Sequence, residues 1–261
     1  MKELNTLLNK RKMDYRVIDG RVKVFRRFYM NILRDNENMK VNRIEEKSKK
    51  ANKKLHEHID NLKRVRNKIR FEISINTSKF NDKLLSIWIP FPVENSIQKN
   101  VRVINSSHDY IISDSLQRTV YMEDKVKREI QKFWIEFEYE ISPFTVNIEP
   151  EKVKVKNLEN YLNEQPPHIV FTDYLRKLAD EIVGNEENPY FKARRIYEWI
   201  TRNIKYELVP EYATIENISE YAAVNFEGDC GVQAILFIAL CRISGIPAKW
   251  QSGWYINPVL Q

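Results

Sequence analysis

The residue with the clearest chemistry is Cys230, in the run Gly228-Asp229-Cys230-Gly231. The residues that follow, VQAILFIALCRIS, are apolar nearly all round, which predicts a helix over 231–244 buried on every side and ended by Gly245 and Pro247. Cys230 would then stand at the first turn of a central helix. The unpaired N–H groups and dipole of a helix start favour an anion, so the thiol pKa is expected to fall below the free value of about 8.5. Flanking glycines would let another chain approach the sulfur, and nearby N–H groups could receive a developing oxyanion. Such a centre suits attack on an amide carbonyl, with Asp229 and Gly231 lining the site.

The opposing reading is that a cysteine beside a buried helix is an inert small hydrophobe. Cys241 fits it well. Eleven residues of helix span roughly 16 Å at about 1.5 Å per residue, so Cys230 and Cys241 can share neither a disulfide nor a metal. For Cys230 the local residues leave both readings open. Tyr206, just after NIK, is a further candidate for lining the site, with a place in the core as its competing role.

Other groups that could do chemistry read as structural. His56 and His58 are two apart on a predicted helix, point to different faces and cannot share a metal. Glu136, Glu138 and Glu140 alternate with Phe133, Ile135, Phe137, Tyr139 and Ile141, the period of two of a half-buried strand. They are expected on a solvated edge rather than as an acid/base pair.

The positioning elements follow from pattern. MDYRVI, then Asp19-Gly20, then RVKVFRRF predicts a β-hairpin. Ile44, Ala51, Leu55, Ile59, Leu62 and Val65 recur at helical steps, predicting an amphipathic helix from about Arg43 to Arg66. KIRFEISI, LLSIWIPF and QKFWIEFEYEI read as strands of an antiparallel β-sandwich. After a polar stretch from Pro150 to His168, two helices are predicted. One spans Asp173–Val183, capped by Thr172 and stopped by Gly184. The other begins at Pro189 after Asn188 and carries the stripe Phe191, Ile196, Trp199, Ile200 and Ile204. The fold class is therefore α+β, with a basic hairpin-and-helix region over 1–67, a β-domain over 68–150 and the Cys230 domain over 151–261.

The block ARRIYEWITRNIKYE, then GDCG, then ALCRISGIPAKWQSGW resembles the core of the transglutaminase-like superfamily, which is related to papain and includes bacterial cysteine hydrolases. The resemblance covers about residues 168–258, and LLSIWIPFP resembles the start of the β-domain that precedes this core in bacterial members. It implies a thiolate nucleophile at Cys230, an acyl-thioester, and transfer of the acyl group to water or an amine, with a peptide or protein as substrate. It also implies a later histidine as base and an aspartate to orient it. All four histidines, His56, His58, His108 and His168, precede Cys230. The expectation is a chain cut before those partners and inactive by itself, with a noncatalytic binding or scaffold protein as the alternative. His168, in a Pro-Pro-His turn, stands against the family order as a substitute.

Charge and composition bound the rest. Of the net charge of +7, residues 1–70 hold 22 Lys/Arg against 9 Asp/Glu, so the basic character lies outside the Cys230 domain. With no stacking platform beside it, this reads as a solvated helical face and no nucleic-acid partner is expected. No cofactor or metal is implied, and the absence of CxxC pairs argues against the zinc-bearing branch. The start MKELNTLLNKRKMDYRV has no apolar signal region and no run is long enough for a membrane span, so a cytoplasmic location is expected. The triplets at Asn76, Asn105 and Asn217 then carry no glycan. Oligomerisation stays open.

Overall fold

A computed structural model describes residues 15–24 except 19, residue 31, and residues 64–253 except 80–82, 115–116, 128, 143, 145 and 156–157. These form two compact units, one over 64–146 and one over 147–252 that also takes in 15–24 and 31. Mixed helices and antiparallel sheets make the fold α+β. The predicted hairpin is present as β1 (Tyr15–Ile18) and β2 (Arg21–Val24), paired antiparallel with Ile18 opposite Arg21. Gly20 has φ +69°, a left-handed turn conformation that glycine takes without Cβ strain.

The unit at 64–146 holds six strands, β3 (Val65–Asn76), β4 (Leu84–Pro90), β5 (Gln98–Ser106), β6 (Ile111–Ser113), β7 (Thr119–Lys125) and β8 (Ile130–Ile141). They build two antiparallel sheets, ordered β3-β8-β5 and β4-β7-β6. Ile87, Ile89, Val120 and Met122 from one sheet share a core with Phe133, Ile135, Phe137 and Tyr139 from the other, so the sheets face each other as a sandwich. Full burial of Phe133 or Phe137 contributes on the order of 1.5–3 kcal/mol.

Two expectations need correction. The helix predicted over 43–66 lies mostly outside the described residues, but its last two residues are not helical. Val65 and Arg66 begin β3, opposite Ile141 and Glu140 of β8, because twelve continuous ladder pairs outweigh the helical spacing of one valine. Secondly, β8 is a central strand, and its glutamates are paired rather than merely solvated. Glu140 accepts from Arg66 (2.9 Å) and Asn100 (2.8 Å), Glu136 from Arg70 (3.0 Å) and Glu138 from Arg102 (2.6 Å). Positive charges on both neighbouring strands therefore form a ladder across that face.

The Arg66 hydrogen bond, then that of Asn100, hold the Glu140 carboxyl below its ordinary value. A carboxyl depressed in the folded state stabilises above its unfolded value, near 4.3, and that stability is lost as pH falls through the folded value. The sandwich should accordingly lose urea resistance below about pH 4, and Glu140→Gln should flatten that slope. Equal slopes for both proteins in urea titrations across pH 3–6 would remove Glu140 from the account.

The second unit is helical. α1 (Asp173–Val183) is capped by Thr172 Oγ1, which accepts from the Leu175 N–H, and stops at Gly184, φ +56°. α2 (Pro189–Asn203) starts with Asn188 accepting from Tyr190 and Phe191 N–H, and buries Ile196 and Ile200. α3 (Ile218–Asn225) has no counterpart among the predicted helices. Its cap is Asn217, which accepts from the Glu220 N–H, and Ser219 is buried with its hydroxyl bonded to Val170 O. α4 (Cys230–Ile243) is the predicted central helix, with α1, α2 and α3 all packed against it. Among the described residues no helix is long and apolar enough to cross a membrane.

Candidate active site

Cys230 is the first residue of α4 and is exposed, whereas Cys241, three turns along, is 1% exposed. Desolvation pushes the Cys241 thiol up to about 12, so that cysteine is a buried hydrophobe with no accessible thiolate. The start of α4 is held in place by a short parallel bridge. β9 (Lys205–Tyr206) pairs with β10 (Glu227–Gly228), with Tyr206 opposite Gly228, and the Glu207 N–H donates to Gly228 O at 3.2 Å. Tyr206 thus lies beside the turn that delivers Cys230. At 46% exposure it is a surface residue rather than a core tyrosine.

Asp229 is the N-cap. Its Oδ1 accepts from the N–H groups of Gly231 (3.1 Å) and Val232 (3.2 Å), two of the donors a helix start leaves over. The Gln233 N–H goes to Asp229 O, and the Gln233 side chain donates to Gly228 O at 2.7 Å. The N–H of Cys230 itself has no acceptor among the described residues. Of the first N–H groups of α4, the one left for an oxyanion among the described residues is therefore on the same residue as the sulfur.

The glycines serve internal packing. A Cβ on Gly231 would stand 1.9 Å from the Tyr212 hydroxyl, and a Cβ on Gly228 would stand 2.4 Å from Val232 Cγ2. The space beside Gly231 is thus filled by this chain's own tyrosine, not left for an approaching one. Neither glycine has positive φ, so the contacts explain the residue type. Tyr212 opens a short 3-10 turn (Tyr212–Thr214), and its hydroxyl donates to Asp229 Oδ1 at 2.5 Å. Nothing in its local sequence marks it; only the fold brings it to Asp229.

The far end of α4 explains the rest of the ALCRISGIPA run. Arg242 is 3% exposed, donating from Nε to Ala248 O (2.8 Å) and from Nη1 to Asn163 O (2.6 Å). Gly245, φ +77°, closes the helix, and the Ile246 N–H returns to Cys241 O at 2.8 Å. These bonds fix the axis of α4 from behind.

His56 and His58 lie outside the described residues. His168 is exposed in a turn closed by its N–H to Gln165 O. His108 belongs to the sandwich, stacked on Phe133 at 4.5 Å with Nδ1 2.7 Å from Ser107 Oγ. Among the described residues no three His, Cys, Asp or Glu side chains are grouped to hold a metal.

Part of the sequence matches a known domain family. A model described as the transglutaminase-like superfamily matches residues 176–260. An uncharacterized protein of Haemophilus influenzae is 23% identical over 181 residues, covering 63% of this chain and 48% of its own length, so the chain spans about half of that relative. A crystal structure from Cytophaga hutchinsonii designated "Putative Cysteine Protease" aligns at a TM-score of 0.48 with 18% identity, over 70% of this chain and 67% of that one. Residues 176–260, which carry α4 and Cys230, are thus similar to the transglutaminase-like superfamily.

Proposed function

We propose that this domain is a cysteine hydrolase or acyltransferase of amide bonds, with Cys230 as nucleophile. The observation that carries the reading is an exposed thiol at the first position of a buried helix whose capping aspartate takes the next two N–H groups and leaves that of Cys230 open. The thiolate would attack the carbonyl carbon, forming a C–S bond while the carbonyl oxygen gains the electron pair and accepts the Cys230 N–H. Collapse of that intermediate expels the amine, which takes a proton as it leaves, and the acyl-thioester passes to water or to a second amine. The substrate class is a peptide or protein.

Proton transfer needs a base that no histidine after Cys230 supplies. The residues described around Cys230 supply neither that base nor a carboxylate to orient it. The residues in hand then supply nucleophile, oxyanion donor and helix, and support single acylation events better than turnover.

Iodoacetamide distinguishes this from a binding protein built on the same domain. At pH 7, native protein should be alkylated at Cys230, which is exposed at the start of α4, while the buried Cys241 stays unlabelled until unfolding. A Cys230 that stays unlabelled in the native protein would favour the binding reading.

A further inference from the structure

Asp229 Oδ1 receives three donors at once, the phenol of Tyr212 at 2.5 Å and the N–H groups of Gly231 and Val232 at 3.1 and 3.2 Å. A carboxylate has two oxygens and a free torsion, and at a helix start it is drawn to any open N–H. Among the described residues the first N–H of this helix start, that of Cys230, has no acceptor, and it is the group an acyl intermediate would need. The Tyr212 ring is half-buried against the helical core and its hydroxyl lies over Gly231, where even a methyl group would collide with it. Burial first, and the Asp229 carboxylate second, hold the phenol far above its usual value, so it stays a donor through the working pH range.

We propose that Tyr212 is a positioning residue for acyl transfer at Cys230: its hydroxyl fixes Asp229 Oδ1 on the N–H groups of Gly231 and Val232, and so keeps the N–H of Cys230 open for a carbonyl oxygen. The inference rests on the reading of Cys230 as nucleophile. It adds a residue from a separate turn, Tyr212–Thr214, to the set that governs the reaction. Tyr212 touches neither the attacking sulfur nor the acyl group in this scheme. It acts through Asp229.

Two reactions of the same thiolate separate this role from a structural one. With p-nitrophenyl acetate the sulfur attacks the ester carbonyl, a C–S bond forms, the C–O bond breaks and p-nitrophenolate leaves with the electron pair. That path passes through an oxyanion. With iodoacetamide the sulfur displaces iodide at a saturated carbon and no oxyanion forms. Tyr212→Phe should therefore lower the acylation rate of Cys230 about tenfold, a fraction of the 10²–10³ that loss of a whole oxyanion donor costs. Its alkylation rate should change less than about twofold. Altered thiolate population or loosened packing would move both rates together, so the acylation-to-alkylation ratio is the quantity to read.

An unchanged ratio in a Tyr212→Phe protein that still shields Cys241 overturns the proposal. Should that variant expose Cys241, the ratio is read on Asp229→Asn, which keeps an acceptor oxygen but weakens the charge-assisted bond to the phenol; a ratio equal to wild type there overturns it too. A wild-type Cys230 that reacts with neither reagent refutes the nucleophile reading itself, an outcome distinct from a reactive wild type with an indifferent variant.

Discussion

Cys230→Ala should abolish acyl transfer by this domain, a loss on the order of 10⁴-fold or more for a reaction whose intermediate is bonded to the residue removed. The expected result is no p-nitrophenolate burst above the buffer rate. Cys241→Ala is the matching control. Its thiol is buried in the core and faces no solvent, so that variant should keep the burst while losing some thermal stability. A burst that survives Cys230→Ala and disappears with Cys241→Ala would reverse the assignment. The contrast is sharp because the two thiols share a helix and differ only in which part of it they occupy.

Gly231→Ala should have the second largest effect, although alanine is ordinarily the better helix former by about 1 kcal/mol. The new methyl would lie 1.9 Å from the Tyr212 hydroxyl and 2.8 Å from its Cζ. The phenol cannot withdraw without giving up Asp229, and the ring is held by the core around α4. Overpacking costs typically about 1–3 kcal/mol, and a hydrogen bond to a charged group is worth about 1.5–3. A net destabilisation of roughly 1.5–5 kcal/mol remains after the propensity gain. Urea unfolding of Gly231→Ala, Tyr212→Gly and the double variant checks the cause. The double variant should be less destabilised than the two single effects added together, because the clash is gone once the ring is removed. Strict additivity would place the damage elsewhere.

Residue pattern marked the elements whose signals are local. The alternation of Phe133, Ile135, Phe137 and Tyr139 fixed β8 and its buried face, Thr172 and Asn188 marked the starts of α1 and α2, and the apolar run after Cys230 marked α4. What pattern could not carry is what each element lies beside. β8 became the centre of a sheet because β3 and β5 pair on either side of it, which spacing within β8 cannot reveal. Val65 has helical spacing from Ile44 to Leu62, yet the ladder with β8 decides its conformation. α3 is short and its residues ISEYAAVN carry only a weak amphipathic stripe, so spacing alone did not mark it.

The candidate site divides in the same way. Cys230, Asp229 and Gly231 are contiguous, and a helix start can be read from such a run. Tyr206 adjoins them through one bridge between β9 and β10. Tyr212 was invisible because its role depends on a contact across the fold between a phenol and a carboxylate. The same holds for Arg242, which reads as the polar end of an apolar helix until its guanidinium is found on Ala248 and Asn163 carbonyls. Both residues act by fixing α4, one at the end that carries the sulfur and one at the end that anchors the helix.

The most direct test of the account is where an acyl group goes. Native protein treated at neutral pH with a limiting amount of p-nitrophenyl acetate, quenched in acid and digested, should carry one acetyl group on the peptide containing Cys230, and neutral hydroxylamine should remove it as expected of a thioester. Acetyl found on lysines or tyrosines, with the Cys230 peptide unmodified, would contradict the claim that this residue is the nucleophile.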